Sequence, residues 1–251
     1  MIDAARIAMV GGAALVAGAV NAIAGGGSLI SFPALLAAGL PPVIASVTNT
    51  VAMCPGYLGA TLAQRKDLAG QGKRAALLRP AAAAGGGAGA LLRRHTNPRA
   101  FDVIVPFLIL IAAILIGTQD WLRRRLLARV PAAHAALLAV VPIALAAVYG
   151  GYFGAGMGVM VLAVLGVTLG DSLIRINAMK QTVSLVVNIS AALVFAVTGP
   201  VDWTMTLVMA GAALVGGALG GMFSTRIPPA VLRWSVVVIG VGVSVVYFAK
   251  L

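Results

Sequence analysis

The chain has 251 residues, 61% of them hydrophobic and only 10% charged, with a mean hydropathy of +1.05. A soluble domain carries about 25% charged residues, so composition excludes one. The net charge of +12 does not point to nucleic acid, because the basic residues sit mostly in short loops between apolar runs, where the positive-inside rule puts them.

Apolar runs near the roughly 20 residues that span a bilayer recur along the whole length, and the period-2 alternation of a membrane β-barrel is absent. The expected class is an all-α, polytopic integral membrane bundle. The acids are Asp3, Asp67, Asp102, Asp120, Asp171 and Asp202, with no Glu, and most flank apolar runs. A carboxylate proton relay inside the membrane is therefore not in evidence. Cys54 stands alone, which excludes a disulfide framework and a thiol metal site, and no metal or cofactor is expected. The start, Met1 to Arg6, has mixed charge and no basic n-region, so it reads as a retained first helix and not a cleaved signal peptide.

In chain order, residues 6–23 form a first span. Gly25-Gly26-Gly27-Ser28 follows. Each glycine costs about 1 kcal/mol relative to Ala in a helix interior, and a broken helix in lipid frees backbone groups that only protein or a polar cavity can satisfy. The triple glycine is thus read as the wall or floor of a substrate site. Residues 28–40, with Pro33, are too short to cross unaided and read as a half-helix that Pro41-Pro42 stops. Residues 43–63 span and carry Thr48-Asn49-Thr50, with a kink expected at Pro55-Gly56. Residues 75–92 are rich in Gly and Ala, notably Gly85-Gly86-Gly87 and Gly89, which suits tight helix packing. Residues 101–117 are a plain span.

The basic segment 119–131, with Arg123-Arg124-Arg125 and Arg129, divides a first repeat (1–118) from a second (132–251). The second half opens with 132–149, then a Gly-rich break, Gly150 to Gly158. A short piece follows at 159–169, then a polar-marked span at 174–197 with Arg175, Asn177, Lys180, Gln181 and Asn188. Gly199-Pro200-Val201-Asp202-Trp203 turns the chain into a second Gly-rich helix, 204–222, and a last span, 230–248. The order of elements matches the first half at an offset of about 130: Gly26 falls on Gly156, Gly86-Gly87 on Gly216-Gly217, Pro98 on Pro228 and Ala100 on Ala230. Two homologous halves, each with a broken helix, are the plan of many secondary transporters. The basic loop after the polar-marked span of half one (Arg65, Lys66, Lys73, Arg74) has no basic counterpart near Gly199, and this asymmetry favours an inverted repeat. Arg93, Arg94 and Arg99 then fall on the side where basic residues are not expected.

Candidate substrate-binding residues follow from what a small anion needs: backbone N–H groups at a helix N-terminus, close backbone approach at glycines, neutral donors and one cation. In half one these are Asn21, Gly25, Gly26, Gly27, Ser28, Thr48, Asn49 and Thr50. In half two they are Gly154, Gly156, Gly158, Asn177, Lys180, Gln181 and Asn188. Lys180 lies inside an apparent span, where a lysine is costly and is a functional hypothesis by default; the alternative is that it snorkels to the interface.

Three motifs carry a resemblance. They are Asn21-Ala-Ile-Ala-Gly-Gly-Gly-Ser28 with Pro33 and Gly39; Thr48-Asn49-Thr50-Val51-Ala52 with Pro55-Gly56 and Arg65-Lys66-Asp67-Leu68; and Asn177-Ala178-Met179-Lys180-Gln181 leading to Asn188 and Gly199-Pro200-Val201-Asp202-Trp203. Over nearly the whole chain the sequence resembles the sulfite exporter TauE/SafE family of bacterial membrane transporters. In the second half Met157 interrupts the glycine pattern. The resemblance implies a multi-pass protein of the bacterial inner membrane, a small anionic substrate such as sulfite, sulfoacetate or a related organosulfonate, and alternating access. It leaves open a homo-oligomer, the coupling ion and the direction of flux. The rival readings are a channel-like anion permease, a transporter of a different small anion, a structural membrane subunit and an intramembrane enzyme; the last lacks a nucleophile–base pair or metal set.

Overall fold

The computed structural model describes residues 3–126, 135–169, 171–224, 226 and 229–248. Among them, ten α-helices follow one another: α1 (Ala4–Ile23), α2 (Ser28–Ala37), α3 (Pro42–Ala63), α4 (Gly72–His95), α5 (Pro98–Leu126), α6 (Ala135–Tyr152), α7 (Met157–Leu169), α8 (Leu173–Thr198), α9 (Trp203–Phe223) and α10 (Pro229–Phe248). A 3₁₀ turn, Arg65–Leu68, joins α3 to α4. Five of these (α1, α4, α5, α8, α9) are long and apolar enough to cross a membrane. The all-α polytopic membrane bundle expected from the sequence is the fold found.

Local chemistry sets the element ends. Asp3 and Asp202 cap α1 and α9, their side chains accepting from Ala5 N and Met205 N, which places two of the six acids as N-caps. At the end of α2, Gly39 takes φ +95°, with Gly39 N donating to Leu36 O and Leu40 N to Leu35 O. This is a Schellman stop, and Pro42 then opens α3, where a missing N–H costs nothing. The helix of α3 runs through Pro55. Helix α5 continues to Leu126, eight residues into the expected linker, because Leu and Arg are good helix formers. The remainder of that linker, with Arg129, lies outside the described residues, as does Pro228.

The short piece α2 folds back along α1. Gly27 is pressed against the Ala17 carbonyl, and at the other end of α2 the Arg6 guanidinium donates to Ala38 O at 3.3 Å. Helix α3 then runs up again, so that Gln64, just past its end, donates to Ala22 O at the end of α1. Helix α8 runs the opposite way to α3. Its first turn lies beside Gln71, which donates to Arg175 O. Beyond its far end, Asp202 N donates to Thr48 Oγ1 near the start of α3.

Small residues lock the long helices. A β-carbon on Gly216 would strike the Leu15 carbonyl, on Gly217 the Gly56 carbonyl and on Gly220 the Ala19 backbone; on Gly85 it would strike the Ala144 carbonyl, on Gly86 the Val187 carbonyl and on Gly89 the Val148 carbonyl. The two sets therefore make like contacts: α9 sits on α1 and α3 as α4 sits on α6 and α8. The register between them is 131, pairing Gly85 with Gly216 and Gly86 with Gly217. The pairing read from the sequence, Gly86-Gly87 with Gly216-Gly217, differs from this spacing by one residue. The reason is local: α2 has 10 residues and α7 has 13, so the offset grows after the break. Pro98 and Pro229 are the first residues of α5 and α10.

Candidate functional site

The two breaks meet. Gly25 and Gly26 take φ of +76° and +91°, and Gly154 and Gly156 take +83° and +76°, conformations that L side chains rarely adopt. The backbones touch: a β-carbon on Gly25 would lie 3.0 Å from Gly158 C, and one on Gly158 would lie 3.2 Å from Gly25 Cα. Gly27 is different. Its φ is −56°, and it is glycine because the Ala17 backbone leaves no room for a β-carbon.

A break orphans the last carbonyls of the helix before it. In α1, Gly25 N turns to Val20 O at 3.1 Å, and the carbonyls of Asn21 and Ala22 are left to other chains of donors. Lys180 Nζ donates to Asn21 O at 2.8 Å. Gln181 Nε2 donates to Ala22 O at 2.7 Å and to Asn21 O at 3.2 Å. Asn177 Nδ2 reaches Ala22 O at 2.9 Å and Gln64 Oε1 at 3.1 Å. Lys180 is 0% exposed. It does not snorkel to the interface; its amino group caps the open carbonyl end of a broken helix.

The start of α2 is likewise engaged. Asn21 Oδ1 accepts from Gly27 N at 2.6 Å, so that N–H is not free for a substrate. Ser28 is buried. Ser31 Oγ donates to Asn49 Oδ1 at 2.6 Å. Thr50 donates to Ser46 O at 3.0 Å, and its Oγ1 lies 3.8 Å from where a Gly154 β-carbon would be. Asn188 donates to Ser184 O on its own helix. Thr48 is placed apart from the breaks, since its hydroxyl holds Asp202 N at the turn after α8. In a helix, successive residues point about 100° apart, so a run of three polar residues cannot all face one site.

The second break is closed locally. Phe153 N and Gly154 N both return to Tyr149 O, and the Tyr149 hydroxyl donates to Ala155 O at 2.8 Å. At the register of 131, Asn49 stands where Lys180 stands. Lys180 thus serves only the first break. Several buried polar atoms around it have no partner among the described residues: Asn21 Nδ2, Gln181 Oε1, Asn177 Oδ1 and Ser184 Oγ. Ser184, Ser31 and Gln64 were not among the residues singled out from sequence. The spacing of Asn177, Gln181, Ser184 and Asn188 along one helical stripe is the signal that would have found Ser184.

At the start of α8, outside the span, Asp171 bonds Arg74 at 2.9 Å and Arg175 at 3.1 Å, tying α4 to α8. Partial burial works against its charge, but the Ser172 N–H and the two arginines outweigh this and hold its carboxyl below the ordinary range. The depressed value makes the link fully present above the ordinary carboxylate range and lost as pH falls through the folded value. Thermal melts in detergent should therefore show the wild type losing stability below about pH 4 relative to Asp171→Asn, with a difference near neutral pH of about 1 kcal/mol or less, because the arginines are partly exposed. A variant indistinguishable from wild type at all pH values would remove this link.

At the opposite face, a cavity of about 210 Å³ opens between the start of α3, the end of α4 and the end of α8, lined by Val47, Arg93, Arg94, Phe195 and Gly199 among others. None of the predicted site residues lines it. Arg93, which the charge pattern left on an unexpected side, is 3% exposed, with its guanidinium 3.5 Å from the centre of the Phe101 ring.

Comparison with known proteins agrees with this architecture. The family model described as "Sulfite exporter TauE/SafE" matches residues 10–247. The chain is 29% identical to the "Probable membrane transporter protein YfcA" of Escherichia coli K12, over 85% of this chain and 77% of that protein. It is 29% identical to a "Probable membrane transporter protein" of Haemophilus influenzae, over 82% and 80% of the two chains. It is also 26% identical to the "Probable membrane transporter protein ORF9" of a Sinorhizobium species, over 93% and 88%. No solved structure matches. With nearly its whole length matched, this multi-pass chain belongs to the sulfite exporter TauE/SafE family, whose members are transporters of the bacterial inner membrane and not enzymes.

Proposed function

We propose that the protein is a secondary transporter of a small sulfur-containing anion, sulfite or an organosulfonate, bound where the two glycine breaks cross and passed through by alternating access. The observation that carries the reading is the juxtaposition of Gly25 with Gly158 beside the fully buried Lys180. An oxyanion placed there meets a cation, the unpartnered amide Nδ2 of Asn21 and the unpartnered hydroxyl of Ser184, together with the N-terminal ends of α2 and α7, whose dipoles favour negative charge. A sulfonate or sulfite group offers three oxygens to three such donors. Gly25, Gly156 and Gly158 bring backbone close to it.

The halves, 1–118 and 132–251 around a linker at 119–131, are read as an inverted repeat. In support, α3 and α8 run in opposite directions, and the glycine contacts of α4 recur in α9 at a register of 131. With the breaks in contact, movement of one half against the other is what would open them to either side in turn. The packing of α9 on α1 and α3, and of α4 on α6 and α8, supplies two interlocked groups to rock.

The test is ligand-dependent thermal stabilisation of the purified protein with sulfite, sulfate, sulfoacetate, taurine, chloride and acetate, followed by flux into proteoliposomes. A ligand at 100 times its Kd adds about 2.7 kcal/mol, and a chain of this size shifts by roughly 2–4 °C per kcal/mol. A sulfite or sulfonate shift of several degrees that disappears in Lys180→Ala and Asn49→Ala is expected, with saturable flux. Shifts with none of the six, and no flux, would end the reading; flux without saturation would make the protein a channel.

A further inference from the structure

We infer that Lys180 is the proton carrier of this transporter: it is uncharged when the site is empty and takes up one proton with each anion, so that anion and proton cross together. The inference rests on the anion-binding reading above and adds its coupling.

The geometry leads there. Lys180 Nζ is wholly buried and has a single acceptor among the described residues, the neutral Asn21 carbonyl. An ammonium offers three donors. The elements packed against α8 are α1, α3, α4, α6, α7 and the 3₁₀ turn, and none presents it with a carboxylate. On α1 the charged residues Asp3 and Arg6 lie at the other end. Helix α3 offers Cys54 and Tyr57, both neutral, and α7 has no titratable residue. On α6 the Tyr149 hydroxyl is bonded to Ala155 O. The turn's Asp67 lies with Arg65 and Lys66 outside the bundle core. Helix α4 brings Lys73, Arg74, Arg79, Arg93, Arg94 and His95, none of them a carboxylate, and Arg74 is paired with Asp171. On α8 itself, Arg175 shares that same Asp171.

An isolated ammonium away from water is strongly penalised, whereas a hydrogen-bonded ion pair is tolerated. The empty site therefore favours the free amine, R–NH₂. When the anion arrives, its charge stabilises R–NH₃⁺, and the loaded site is neutral: one proton in, one anion in. On release to the other side the anion leaves first or with the proton, and the amine returns empty and neutral. Each moving state thus carries no net buried charge. The proton comes from the water on the side of entry and returns to the water on the side of exit, with no bond made except N–H. Such a carrier runs in whichever direction the sum of the anion and pH gradients favours.

The experiment uses the full chain in proteoliposomes containing a trapped pH dye, with membrane potential clamped by potassium and valinomycin. Radiolabelled methanesulfonate is the first probe, because it carries no titratable proton near neutral pH; sulfite is the second, with its own proton equilibrium subtracted. Inward anion flux should acidify the lumen by one proton per anion in the wild type. Lys180→Arg, whose guanidinium stays charged, should lower that ratio at least tenfold in whatever flux remains. If no flux remains in the variant, the wild-type ratio alone decides. As a second measurement, wild-type anion affinity should fall tenfold for each unit of pH rise over the range in which the empty site holds no proton. Anion flux with no proton movement, or an unchanged ratio in Lys180→Arg, overturns the inference while leaving the transporter reading standing. Failure of both probes to move at all overturns both.

Discussion

Lys180→Met is expected to leave the protein at least as stable as the wild type and to abolish its transport. The two results follow from one cause. Lys180 is fully buried and has no counter-ion among the described residues, so the fold bears a cost for it in either protonation state. Holding a lysine neutral at pH 7 costs roughly 4–5 kcal/mol by its ordinary pKa, and burying it charged and unpaired costs several kcal/mol. Methionine fills a similar volume without that cost and adapts to irregular space. What is lost is one hydrogen bond to Asn21 O, worth roughly 0.5–1.5 kcal/mol for a neutral donor, and Gln181 Nε2 remains at 3.2 Å from the same oxygen. The balance favours the variant, so Tm in detergent should be unchanged or several degrees higher. Flux should fall at least a hundredfold, because the cation that faces the anion is gone. A Tm drop of ten degrees or more would make Lys180 a structural cap and nothing else; retained flux would remove it from the site.

The residue types made the architecture legible where a signal was local. Three consecutive glycines inside an apolar run announced the first break, and two of them do occupy positive φ. Paired prolines marked the start of α3, and the Gly/Ala-rich helices were identified as packing surfaces, as Gly85, Gly86 and Gly89 are. Lys180 stood out because a lysine inside a span is expensive. Its partner was not legible, since the carbonyl it caps lies 159 residues away and is orphaned only by the backbone turn at Gly25. The same holds for Gln64, which sits at a helix end and reads as loop until Asn177 and Ala22 are brought beside it. Thr48 went the other way. Adjacency in sequence grouped it with Asn49 and Thr50, but helical rotation sends it to the Asp202 turn. The one-residue slip in the repeat register came from anchoring on the break, upstream of the longer α7.

The seat of α2 on α1 carries a large structural penalty of its own. Gly27→Ala adds a single methyl group, yet that methyl would sit within the Ala17 backbone carbonyl of α1. Backbone cannot rotate away as a side chain can, so α2 must move off α1. Two bonds depend on that seat: Asn21 Oδ1 to Gly27 N at 2.6 Å and, through α2, Ser31 Oγ to Asn49 Oδ1 at 2.6 Å. Overpacking costs typically 1–3 kcal/mol and occasionally more, and buried polar atoms left unpaired add about 1–3 kcal/mol each. The expected loss is therefore about 3 kcal/mol or more, seen as a Tm fall of roughly 6–12 °C for a chain of this size and as little or no folded protein on size exclusion. The control is Gly87→Ala in α4. There a β-carbon meets nothing within 4 Å, and replacing a mid-helix glycine should gain about 0.5–1 kcal/mol. If the two substitutions behave alike, the first break is not seated on α1 as described, and a site built from its glycines loses its floor.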